Sequence, residues 1–382
     1  MFEVITAREL ANEVDADDEE YTLIDTRPED SYESWHVPGA ENVPFGPAET
    51  LDDDQRERID ELADGGPIHT ICGKGATSTS LAAALDANGY DDVTVVKGGM
   101  RDWNDLYEQA RIDTSDDVGI MQFQRRGKGC LGYLLGSPDA GEAVVVDPTR
   151  HVEQYVVAAS HHDVDITHVF DTHVHADHIS GGRKLADLLD VPYHLGARAE
   201  ERDVAYEFDP VEDGDVFHLG DLELTVLEAP GHTAEMVNYR VDDEAILTGD
   251  ALFADSVGRT ELQFGEGGAE TGAEMEYETL HDTLLEQPDH LTVLPGHVTV
   301  TNDGRFEHGS PGQPVATSLG EVRDRLDLVG LNREEFVDRM VGDLPEKPDS
   351  YETVIDINTG GEHPDSSREA AQLETGANNC SA

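Results

Sequence analysis

Lysine is nearly absent from this chain. Only 5 of its 382 residues are lysine, and with 20 arginines they face 83 aspartates and glutamates, for a formal net charge of -58. The acids are spread along most of the chain between ordinary hydrophobic segments, which implies a solvated acidic shell that repels itself unless salt screens it. Such a surface excludes nucleic acid as a natural partner, and it is the surface expected of a protein from a halophile. Cysteine is also scarce. Cys72, Cys130 and Cys380 are odd in number and far apart, which argues against a disulfide framework and leaves each thiol to chemistry or packing. No run of about 18 apolar residues exists, so no membrane-spanning helix is expected. The opening MFEVITAREL lacks the basic segment and apolar core of a secretory signal, and a cytoplasmic location is expected.

What is present divides in two. Over the first 110 or so residues short apolar runs (YTLIDTR, PIHTIC, VTVVKGG) alternate with helical stretches such as TSTSLAAALDAN, the pattern of a parallel α/β sheet. The reading is a first domain over 1–112, a polar linker to 119, and a second domain over 119–355. The second domain opens with three strands in succession (MQFQRR, CLGYLLGS, EAVVVDP), and continues with segregated strands and helices, which suggests two packed sheets with helices outside. From 361 to 382 the polar, aromatic-free sequence reads as a flexible acidic tail.

The stretch DTHVHADHISGG at 171–182 brings His173, His175, Asp177 and His178 together behind an apolar strand. A run of three histidines and an aspartate at this spacing is a metal-binding signal. Further ligand types follow apolar runs beside glycine: His232 in APGHTAE, Asp250 in ILTGDALF and His297 in VLPGHVTV. Ligand count alone leaves open one iron or two zinc ions.

This set, in this order, resembles the metallo-β-lactamase superfamily over roughly residues 119–300, which implies an αββα sandwich with metal held between its sheets. The segments GDALFADSVGRTELQ and LNREEFVDRMVGDLPEKP resemble persulfide dioxygenases. That resemblance implies one Fe(II) on His173, His232 and Asp250, with His175, Asp177, His178 and His297 left for a second metal or for supporting contacts. Two histidines and one carboxylate leave open positions on an octahedral ion, as an oxygenase requires. Arg259 is kept, and in so acidic a chain it is expected to grip a substrate carboxylate. Where the family often carries a cysteine and a tyrosine, this chain has Val257 and Thr299.

PIHTICGKGATS places Cys72 at a strand end, before a glycine-rich loop and a helix expected to begin near Thr77. Backbone N–H groups of such a loop favour a thiolate or persulfide anion. With LIDTRPEDSYESWHVPGAENVP upstream and VVKGGMRDW downstream, the first domain resembles the rhodanese (sulfurtransferase) family. The resemblance implies that Cys72 carries a persulfide, with Lys74 and Gly75 of the same loop binding substrate. Lys74 is the only cation in that loop, because Thr77 stands where the family commonly has arginine. Asp25 and Arg27 are expected to be structural, and Cys130 to be a buried strand residue.

Together these readings give an α/β rhodanese domain followed by an αββα metallo-β-lactamase sandwich, acting on a small thiol persulfide with O2 and yielding sulfite or, through Cys72, thiosulfate. A homo-oligomer without nucleic-acid or membrane partners is expected. Two alternatives stay open: a dinuclear zinc thioesterase of the glyoxalase II type, and a non-oxidative sulfur carrier. The acidic shell carries its own test. The Debye length falls from about 10 Å at 0.1 M salt to about 3 Å at 1 M, so the melting temperature should rise steeply between 0.1 M and 2 M potassium chloride. A flat profile overturns the halophile expectation.

Overall fold

The structure is a computed structural model that describes residues 2–16, 21–115, 117–265, 268–342, 347 and 350–376. Cys380 and the rest of 377–382 lie outside the described residues.

The N-terminal sheet is wholly parallel. Its strands run in the order Glu3–Ile5, Val93–Val96, Ile68–Ile71, Thr22–Asp25 and Ala40–Asn42. The inner strands TLID and IHTI are buried almost throughout, as expected for strands covered by helices on both faces. The helix Ala76–Ala87 packs on this sheet through Leu81, Ala82 and Leu85 and begins directly after the Cys72 loop. Asp25 and Arg27 form a buried ion pair, and the arginine also donates to the carbonyl of Trp35, 2.6 Å away.

The second unit is a pair of packed sheets. A seven-stranded mixed sheet runs Asp209–Val211, Tyr193–Gly196, Asp165–Phe170, Glu142–Val146, Leu131–Ser137, Gly119–Arg125 and Tyr107–Arg111. A six-stranded sheet runs Val216–Leu219, Leu222–Glu228, Val237–Val241, Ala245–Gly249, Thr292–Pro295 and Thr317–Ser318. Between them Tyr133, Leu135, Val144, Val146 and Phe170 of the first sheet join Leu224, Val226, Tyr239 and Leu247 of the second in one apolar core. Alternate residues on each strand supply that face, which follows from the two-residue period of a strand. Among the described residues no helix is long and apolar enough to cross a membrane.

Two boundaries differ from the sequence reading. Tyr107–Arg111, placed by sequence at the end of the first domain, pairs antiparallel with Gly119–Arg125 and so belongs to the seven-stranded sheet. Its partner strand lies beyond a short loop, a relation that local pattern does not reveal. The segment after 361 is likewise no extended tail as far as residue 376. Ser366 caps a helix over Ser367–Leu373 whose Ala370 and Ala371 are buried. Glu374 is fully buried and pairs with Arg125 at 2.8 Å and Arg150 at 2.6 Å. An isolated acidic residue in a polar stretch gives no sign of two arginines waiting in another part of the chain.

Arg125 also reaches Asp105 at 3.2 Å and donates to the carbonyl of Asn104 at 2.9 Å, which ties the first domain to the second. Burial raises the carboxyl pKa of Glu374, but Arg125 and Arg150 outweigh it and hold the group below the usual carboxylate range. Arg125→Leu should therefore destabilise the protein by about 3–5 kcal/mol, because a buried carboxylate loses half of its compensation. The denaturant midpoint measures this, and an unchanged midpoint would show that the pair is dispensable.

Candidate metal centre

The strand Asp165–Phe170 ends at the carboxyl edge of its sheet, and the loop from Asp171 to Ile179 that follows contains no helix or strand. Asp147, at the end of the neighbouring strand, anchors the start of this loop by accepting the Thr172 N–H at 2.7 Å and the Thr172 hydroxyl at 3.0 Å. His173 is then delivered almost fully buried, at 1% exposure. The opposite sheet supplies the other groups. His232 lies beyond the strand Leu222–Glu228, with its backbone N–H on Glu276 at 2.9 Å. Asp250 follows Ala245–Gly249, and His297 follows Thr292–Pro295. Gly258 must be glycine for a steric reason, since a Cβ there would stand 1.8 Å from the Asp250 carbonyl and 3.1 Å from His232 Nδ1.

All seven residues singled out by sequence meet here, in three buried groups. His173, His232 and Asp250 form one; Asp177, His178 and His297 form a second, joined by Cys130; His175 forms a third with Asp147 and Asp171. In the first group Asp250 Oδ2 lies 3.9 Å from His173 Nε2 and 3.6 Å from His232 Nε2. The far side of each ring is held. His232 Nδ1 donates to the Arg259 carbonyl at 2.6 Å, and His173 Nδ1 lies 2.9 Å from the Thr172 hydroxyl. Such contacts set the tautomer and aim Nε2 inward. His173 Nε2 and Asp250 Oδ2 have no hydrogen-bond partner among the described residues. Buried polar atoms without partners are costly, so converging orphans of this kind fit a metal ion.

The second group is bonded within itself. Asp177 Oδ2 accepts from His297 Nε2 at 2.8 Å and from the Cys130 thiol at 3.3 Å, while Asp177 Oδ1 faces His178 Nδ1 at 3.0 Å. His297 Nδ1 lies 2.6 Å from Asp250 Oδ1, so this histidine bridges the two carboxylates. Burial, then the neighbouring His175, His232 and His297, push the His173 pKa well below its ordinary value, and burial lowers that of His232. Both rings are thereby held neutral, the form that binds metal. Burial raises the Asp250 carboxyl, but His297 and then His232 outweigh it and keep it ionised.

Arg259 differs from expectation. Its fully buried guanidinium donates from Nε to Glu261 at 2.7 Å and from Nη2 to the same carboxylate, so its charge is neutralised within the fold rather than offered to a substrate carboxylate. A buried cation needs a buried partner, and Glu261 stands two residues away. The Arg259 backbone carbonyl, through His232, is what reaches the metal group. Cys130 is buried as expected, yet it sits against Asp177, a placement its alternating apolar context did not reveal.

At the other site Cys72 directly follows the strand Ile68–Ile71 at 3% exposure. Its Sγ accepts the Gly75 N–H at 3.0 Å and the Ser78 hydroxyl at 3.3 Å. Gly75 thus lies at the thiol, while Lys74 is exposed on the loop. Burial raises the Cys72 thiol, but the hydroxyls of Ser78 and Thr77 and the backbone amides of Ser78 and Lys74 outweigh it, leaving the pKa below the ordinary thiol value. Ser78 was missed by the sequence reading, although its position in the first turn after the glycine-rich loop was available as a signal.

Residues 6–106 match the rhodanese-like domain family, and residues 125–297 match the metallo-beta-lactamase superfamily. A cattle protein named persulfide dioxygenase ETHE1, mitochondrial, is 31% identical over 59% of this chain and 82% of its own length. The chain belongs to the metallo-beta-lactamase superfamily, with a rhodanese-like domain ahead of it. Within that superfamily a hydroxyacylglutathione hydrolase from Arabidopsis thaliana is 29% identical over 59% of this chain and 81% of its own. The crystal structure of ETHE1 from Myxococcus xanthus superposes with a TM-score of 0.55 at 27% identity, covering 66% of this chain and all of that one. A metallo-beta-lactamase from Staphylococcus aureus superposes with a TM-score of 0.58 at 25% identity, covering 65% and 74%.

The Cys72 geometry predicts that Ser78→Ala moves the pH profile of iodoacetamide alkylation upward. A hydrogen bond to the thiolate contributes on the order of 1 kcal/mol, so the rate at neutral pH should fall roughly fivefold. An unmoved profile would remove Ser78 from the site.

Proposed function

We propose that the protein is an iron-dependent persulfide dioxygenase with a fused sulfurtransferase domain. The observation that carries this reading is that His173 Nε2 and Asp250 Oδ2 converge without hydrogen-bond partners among the described residues, whereas in the second group the Asp177 carboxylate and both His297 nitrogens are already engaged. Two histidines and a carboxylate with open positions are the ligand set of non-haem Fe(II) oxygenases. The relatives named persulfide dioxygenase support the same choice.

A ferrous ion held by His173, His232 and Asp250 would supply activation of dioxygen for oxidation of the persulfide's outer sulfur. The chain's own residues keep the site in order. The Arg259 carbonyl holds His232, the Thr172 hydroxyl lies against His173, and His297 holds one oxygen of Asp250 so that the other faces inward. In the balanced reaction a thiol persulfide, dioxygen and water give the thiol, sulfite and two protons; the outer sulfur is oxidised and dioxygen is reduced. In the first domain Cys72 carries a sulfane sulfur, stabilised as an anion by the Gly75 amide and the Ser78 hydroxyl. Attack by a thiolate breaks the bond between Sγ and the outer sulfur and forms a small persulfide. Attack by sulfite forms thiosulfate and returns the Cys72 thiolate.

One observation favours a second reading. His178 Nε2 and both nitrogens of His175 also lack hydrogen-bond partners among the described residues, and two zinc ions would use them, as in a thioesterase of the hydroxyacylglutathione hydrolase type.

Elemental analysis of anaerobically purified protein separates the readings: one iron per chain supports the oxygenase, and two zinc ions the hydrolase. His173→Ala, His232→Ala and Asp250→Ala should each lose iron and persulfide-dependent oxygen uptake together. An Asp250→Ala protein that keeps stoichiometric iron and turnover overturns the ligand set. In the same assay Cys72→Ser should keep oxygen uptake and lose sulfur exchange with thiosulfate.

A further inference from the structure

We infer that Asn358 and Glu374 are positioning residues of the metal centre, acting through the backbone of the loop that carries His173, His175, Asp177 and His178. The inference rests on the metal reading above. Both residues lie past residue 297, where the superfamily match ends.

Asn358 closes the helix Tyr351–Asn358 and is buried. Its Nδ2 donates to the carbonyls of His175 and His178, each at 2.8 Å, and its Oδ1 accepts the Ser180 N–H at 2.9 Å. A carboxamide alone among small side chains offers two donors and an acceptor at once. Glu374 Oε1 accepts the Ile179 N–H at 2.8 Å. The peptide between His178 and Ile179 is therefore held at both ends, its carbonyl by Asn358 and its N–H by Glu374. With no helix or strand over residues 171–179, these side chains supply hydrogen bonds that regular structure would otherwise provide.

The consequence reaches the proposed ligands. Asp177 sits between the two carbonyls that Asn358 holds. Its carboxylate receives His297 Nε2, and His297 Nδ1 in turn faces Asp250 Oδ1. A loop free to rotate its peptides would release Asp177, then His297, then the orientation of Asp250. Glu374 carries the same hold toward the first domain. Its second oxygen pairs with Arg125 and Arg150, and its backbone carbonyl accepts from Asn104 Nδ2 at 3.4 Å. Asn104 ends the short helix Met100–Asn104, which begins where the Met100 N–H meets the Cys72 carbonyl at 2.8 Å.

The test uses the full-length, metal-loaded protein. Asn358→Asp replaces the donors by an oxygen facing two carbonyls, and Asn358→Ala removes them without adding charge. Leu85→Ala opens the buried core of the first domain while leaving Asn358, Glu374 and their hydrogen bonds in place, and serves as the destabilised control. Three quantities are read: melting temperature of the metal-free protein, rate of metal loss to a chelator, and the electron paramagnetic resonance spectrum of the ferrous site with nitric oxide. Both Asn358 variants should lose metal on the order of 10-fold faster than the control, with an altered spectrum. Metal loss and spectrum equal to those of Leu85→Ala overturn the inference. If the Asn358 variants fail to fold, Glu374→Gln is judged by the same criterion. Finding zinc in the wild type overturns the oxygenase reading, and the rate of zinc loss then decides the positioning role separately.

Discussion

Burying five imidazoles and two carboxylates in one place is the constraint on which the metal centre depends. His173, His175, His178, His232 and His297, with Asp177 and Asp250, are all almost inaccessible to water. Taking so many polar groups out of water is favourable only where each finds a partner. The fold meets the demand unevenly. Asp147 secures the start of the loop, Asp177 gathers His178, His297 and Cys130, and His297 joins Asp177 to Asp250. Among the atoms left unpaired, His173 Nε2 and Asp250 Oδ2 converge on the proposed iron position.

The same electrostatic demand recurs between the domains. In a chain with 25 basic residues and 83 acidic ones, fully burying Arg125 removes a scarce cation from the surface. It is matched there by Glu374 and Asp105, where a low-dielectric setting makes compensation strong. Apolar contact adds to the join: Trp35, Trp103 and Leu106 of the first domain belong to the same buried cluster as Val298, Val300 and Phe306 of the second. The rhodanese-like domain is thus packed onto the metallo-beta-lactamase domain rather than strung from it. The surface keeps its excess acid, while the interior is organised by the few cations it has.

Much of the candidate site was legible because its residues are dense in sequence or sit in recognisable turns. The run from His173 to His178, with His232, Asp250 and His297 beside glycines, clusters in three buried groups, and the Sγ of Cys72 accepts the Gly75 N–H of the loop that follows it. Arg259 was legible as a residue of the site but not in its role, since its partner Glu261 satisfies a charge that sequence could only count. Cys130, Asn358 and Glu374 gave no signal of their kind, because each acts on residues between 47 and 195 positions away.

Sequence by itself determined the two-part architecture, the parallel first sheet, the candidate metal-ligating side chains and the excess of negative charge. Periodicity, glycine placement and ligand spacing are local properties, and they survive in a one-dimensional string. Tertiary structure alone decided which of the seven candidate ligands keep an atom without a hydrogen-bond partner among the described residues, where the guanidinium of Arg259 finds its carboxylate, and that the last described residues fold back onto the loop of 171–179. Those outcomes depend on which polar groups compete for the same partner in a space closed to water. That competition is settled only when distant segments are brought within hydrogen-bonding distance.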